Sequence, residues 1–101
     1  MVQPDIFTED REEVMVMEDI SSGEVSHLII YNDDFNTFDW VIQSLIEICG
    51  HSSEQAEQLS LIIHFKGKAT TKTGSFERLL PLKDALVERG LSAVIETEVN
   101  K

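Results

Sequence analysis

Positive charge is scarce in this chain. Eight Lys and Arg face nineteen Asp and Glu, a net charge of −11. Neutralising a phosphate backbone needs clustered cations, so nucleic acid is excluded as the expected partner. A single cysteine, Cys49, excludes an internal disulfide framework and any multi-cysteine metal cluster. No run approaches the ~20 apolar residues of a membrane span. The start, MVQPDIFTEDREE, has neither the basic nor the apolar region of a secretory signal. A reducing cytoplasm is therefore the expected compartment, with no membrane partner.

What charge there is lies unevenly. Residues 1–24 hold eight acids against one base, Arg11, whereas the remainder holds eleven acids against seven bases. An acidic, aromatic-poor segment ahead of a balanced body predicts a solvated, flexible tail over 1–24 and one folded domain over 25–101. At 101 residues there is enough chain for one modest core.

Within the body, VSHLIIY is rich in β-branched residues and predicts a strand over Val25–Tyr31. Asn32, Asp33 and Asp34 then predict a turn, because their side chains bond nearby backbone amides. Asn36, with Asp39 three residues on, reads as a helix N-cap, and apolar positions from Val41 to Ile48 continue a helix over Thr37–Cys49. Ser52 and Gln55 form a capping box for a second helix that ends before Gly67. KATTKT has strand propensity with little apolar content, which predicts an edge strand. Ser75 caps a further segment that Pro81 interrupts at a cost of about 3 kcal/mol. A short turn over 76–80 and a helix over Pro81–Arg89 are thus expected, followed by a last strand in LSAVIETEV. The order β-α-α-β-α-β predicts a small α+β sandwich: a three-stranded antiparallel sheet with the helices packed on one face.

The carboxylate pair at Asp33–Asp34 admits several readings. An Asx turn between strand and helix is the plain one. A nucleophilic enzyme would need a Ser or Cys beside a base, and Cys49 sits among apolar neighbours as a core residue. Adjacent acids in a turn do not flank a sugar from opposite sides. A metal-dependent hydrolase built on Asp33, Asp34 and His64 is conceivable, but His27, His51 and His64 show no short metal-ligand spacing. Catalysis is not expected, nor any metal or cofactor.

YNDDFNTFDWV, followed some twenty residues later by AEQLSLIIHFKGKA, resembles the ClpS family, adaptors that hand N-degron substrates to a Clp AAA+ unfoldase and its protease. The likeness covers Ile30–Gly67 well and residues 75–96 more loosely. It implies that Asn32, Asp33 and His64 hold the free α-amino group of a substrate's first residue. An ammonium has three donors and no acceptor, so an amide oxygen, a carboxylate and a neutral imidazole nitrogen suit it. Asp34 is assigned to turn geometry and local potential, and Asn36 to the cap. The implied hydrophobic pocket for the first side chain comprises Ile30, Phe38, Val41, Ser60, Ile63 and Leu91. Such pockets take Leu, Phe, Tyr and Trp. Unfoldase docking, to a ClpA- or ClpC-type partner, would fall to Glu77 and Lys83. The tail, at most ~80 Å when extended, would reach into the unfoldase channel.

The chain departs from the family pattern at three places. Asn36-Thr37 stands where Thr-Pro is usual, and Phe38 and Ser60 stand where methionines are common. A stiffer wall and a smaller, polar one predict a preference for bulky aromatic first residues over Leu. The β-α-α-β-α-β layout also occurs in the C-terminal interaction domain of the ribosomal stalk protein, and that alternative predicts no use for a free amine.

Overall fold

A computed structural model describes residues 24–99. The expected tail therefore lies outside the described residues, apart from Glu24, which opens the first strand. The elements are β1 (Glu24–Tyr31), α1 (Phe38–Cys49), α2 (Ser53–Lys66), β2 (Lys68–Gly74), α3 (Phe76–Glu88) and β3 (Ser92–Val99). β1 is the central strand of an antiparallel sheet ordered β2-β1-β3, so the α+β reading and the edge position of KATTKT both hold.

The side-chain period of a strand explains which face is covered. Ser26, Leu28 and Ile30 alternate toward the helices and are almost wholly buried. His27 and Tyr31 point the other way, to Thr73 and Glu98 and to Glu96 respectively. Leu28 and Ile30 join Leu45, Ala56, Ile63, Leu79, Leu86, Leu91 and Ala93 in one core. The β1–β2 register slips between Leu28 and Ile29, and the Thr71 hydroxyl donates to the Leu28 carbonyl at 3.1 Å beside that bulge. Cys49 is a core residue, as expected. Burial pushes its thiol up to about 11, against opposing influences of Lys72 and Thr71, which leaves it unreactive.

Two local expectations are corrected. The cap of α1 is Thr37, not Asn36: the Thr37 hydroxyl accepts from the Trp40 N–H at 3.1 Å. Asn36 lies one residue before the cap position, and its side-chain NH2 donates instead to the Asp33 carboxylate and the Gly90 carbonyl. The second correction concerns Pro81, which lies inside one continuous helix, α3, capped by Ser75. Proline there deletes a single bond, the one its N–H would have made to the Glu77 carbonyl. Leu79, Leu82 and Leu86 pack into or against the core on both sides of it, and that burial outweighs the loss.

The ends of α1 and α3 are tied together. The Trp40 indole N–H donates to the Arg89 carbonyl at 3.0 Å. The Arg89 guanidinium lies 5.2 Å from the Trp40 ring and 2.6 Å from the Glu47 carboxylate. This clamp fixes the loop after α3 beside the start of α1.

Candidate functional site

The turn between β1 and α1 is built on Asp33. Its Oδ1 accepts from the backbone N–H groups of Phe35 and Asn36, both at 2.9 Å. The Asn36 side-chain amide donates to both carboxylate oxygens, at 3.1 and 2.8 Å, and the Ser92 hydroxyl donates to Oδ2 at 3.1 Å. Burial by itself raises the Asp33 carboxyl, but the bonds from Asn36, Phe35 and Ser92 outweigh it and hold the group below its ordinary value. The turn expected of Asn32, Asp33 and Asp34 is thus closed by the Asp33 carboxylate, while Asp34 is exposed.

A second set of contacts brings α2 to this turn. Ser52 and Gln55 form the expected reciprocal cap. At the other end α2 stops at Gly67, whose φ of +95° carries the chain directly into β2. The Gly67 carbonyl then accepts from the Asn32 N–H at 2.8 Å. His64, three residues earlier, lies at the same end of α2 and lines one cavity with Asn32 and Asp33.

Between the turn and α2 lies an open cavity of about 420 Å³. Asn32, Asp33, Asp34, Asn36 and His64 line its polar side, and Phe38, Val41, Ser60 and Ile63 the rest. Ser60, Ile63 and His64 share one face of α2 because they are three and four residues apart. The exposed ring of Phe65 meets His64 edge-on, with centroids 4.9 Å apart. Ser60 is 2% exposed, and its hydroxyl oxygen is buried without a hydrogen-bond partner.

Two expected wall residues are placed otherwise. Ile30 and Leu91 belong to the core, at 1% and 3% exposure, and do not line the cavity. Ile63 is as deeply buried and does line it, so what separates them is where each side chain lies and not how far it is covered. Glu77 is exposed in the first turn of α3, and Lys83 pairs with Asp84 at 3.1 Å. Six residues apart on a helix, they point roughly 120° away from each other, so they do not share one face. Sequence reasoning missed Ser92, Gly90 and the Gly67 carbonyl. Their partners lie tens of residues away, and no local pattern marks them. Among the described residues no group of three or more His, Cys, Asp or Glu side chains is arranged to hold a metal ion, and no helix is long and apolar enough to cross a membrane.

Comparison with known proteins bears on this geometry. The ClpS adapter of Acetivibrio thermocellus is 30% identical over 87 residues, covering 79% of this chain and 87% of that protein. The ClpS adapter of Streptomyces coelicolor is 29% identical over 90% of this chain and 93% of its own length. The match to the adapter of Nitratidesulfovibrio vulgaris strain DP4 is 26% identical and spans 64% of this chain and 62% of that protein. Among solved structures, ClpS2 of Agrobacterium tumefaciens bound to L-phenylalaninamide has the same fold. Its TM-score is 0.61 at 18% identity, covering 75% of this chain and 96% of that one. The sequence profile described as "ATP-dependent Clp protease adaptor protein ClpS" matches residues 23–93, and on that match the chain belongs to the ClpS family.

Proposed function

We propose that the cavity between the Asp33 turn and α2 receives the first residue of an N-degron substrate, which this adaptor delivers to a Clp AAA+ unfoldase and its protease. One observation carries the reading. Asn32, Asp33 and His64, separated by up to 32 positions in the chain, line the same cavity as Phe38, Val41 and Ile63. A free α-amino group brings three donors and a positive charge, so it needs acceptors and an anion. Asn32 supplies an amide oxygen and His64 a ring nitrogen as acceptors. Asp33 supplies the charge, which its hydrogen bonds keep ionised, and Asp34 adds a second negative group at the rim.

The apolar side of the cavity supplies the remainder of the affinity. Burying an aromatic side chain removes roughly 150–250 Å² from water, a gross gain of about 4–6 kcal/mol before the costs of association. The phenylalaninamide ligand of the Agrobacterium ClpS2 structure offers this same pairing of an amine with an apolar ring. Docking of the unfoldase is assigned to the α3 surface, with Glu77 the leading contact and Lys83 a lesser one, since the two face apart.

The reading is tested by titrating a Phe-starting peptide into the native chain and into the Asn32→Ala and His64→Ala variants. Each variant is expected to keep its fold and lose about tenfold or more in affinity, as for hydrogen bonds to a charged group. Unchanged affinity in both variants would overturn it.

A further inference from the structure

Ser60 is the one wall position of the cavity whose polar atom is buried and unanswered. A buried hydroxyl without a partner forfeits the hydrogen bonds it would make to water, a cost that proteins ordinarily avoid. The Ser60 side chain lies on the cavity face of α2, one turn before His64. Four residues of helix correspond to about 6 Å along its axis, of the order of the distance from an amino group across an aromatic side chain to its far end. Phe38, Val41 and Ile63 supply apolar surface at the same cavity.

Resting on the amine-recognition reading above, we infer that Ser60 is a specificity-determining residue that hydrogen-bonds the far end of the bound first side chain, and that the cavity selects tyrosine over phenylalanine. The two side chains differ only in the phenolic hydroxyl, which both donates and accepts, as the serine hydroxyl does. With tyrosine bound, the Ser60 hydroxyl gains the partner it lacks. With phenylalanine bound, it stays unpaired and sealed from water. The apolar walls contribute equally to both, so the preference arises at a single atom pair.

The test compares peptides identical except for Tyr or Phe at the first position, titrated into the native chain and the Ser60→Ala variant. The native chain is expected to bind the Tyr peptide roughly 3- to 10-fold more tightly, the worth of one neutral hydrogen bond. In Ser60→Ala that ratio falls to one or below, while the Phe peptide binds at least as well as before. The variant's melting temperature should not drop, because removing an unanswered hydroxyl costs the fold nothing. Equal affinity for both peptides in the native chain, or a Tyr preference that survives in Ser60→Ala, would overturn the role of Ser60 and leave amine recognition standing. Binding of neither peptide would overturn both.

Discussion

The Asn32 N–H donates to the Gly67 carbonyl at 2.8 Å, joining the last turn of α2 to the end of β1. One bond thus connects the two halves of the candidate site: the Asn32–Asp33 turn on one side and the His64 helix end on the other. Gly67 makes it possible by taking a φ of +95°.

That dependence is measurable. A Cβ added at Gly67 meets nothing within 4 Å, so Gly67→Ala tests backbone conformation and not crowding. The left-handed region costs an L-residue roughly 1–2 kcal/mol. Chemical denaturation of Gly67→Ala should show a loss of that size, with peptide affinity falling as the helix end shifts. A variant as stable as the native chain would detach the site from this bond.

Asp33 predicts a pH dependence of stability. Its folded carboxyl titrates below the ordinary 3.8, so its contribution is full above that value and is lost as the pH falls through the lower folded one. Asp33→Asn keeps the shape and removes the charge. Its cost should be about 1–2 kcal/mol at neutral pH, and the gap to the native chain should close in acid. Denaturation curves between pH 7 and 2 read this directly, and a gap independent of pH would contradict it.

First-residue preference follows from the walls. Phe38 is stiffer than methionine, while Ser60 leaves space, so aromatic first residues should outbind Leu. Competition among Phe-, Trp- and Leu-starting peptides measures the order, and Leu tightest would contradict it.

Much of this architecture is legible in the sequence because it rests on local signals. The Ser52–Gln55 capping box, the stop at Gly67, and the β-branched run of β1 each act within a few residues. The same holds for the apolar-poor edge strand. Pro81 misleads for the opposite reason: its local cost is overcome by distant packing of Leu79 and Leu86. Asn36 has the sequence of a cap, but the helix starts one residue later at the Thr37 cap, and the Asn36 NH2 bonds Asp33 and Gly90, fifty-four residues on. The family resemblance places Ile30 and Leu91 in the pocket, and only three-dimensional packing distinguishes a core wall from a cavity wall. The convergence of residues 32, 33 and 64 is likewise implied by resemblance and is not legible in spacing.

The central claim is that a positively charged amine is held beside an apolar cavity. Its most direct test is the affinity of a Phe-starting peptide against the same peptide with its amino group acetylated. Acetylation removes the charge and two of the three donors while leaving the side chain unchanged. The account predicts a loss of about a hundredfold or more, the combined worth of several charge-assisted hydrogen bonds. Equal affinity for the two peptides would contradict it.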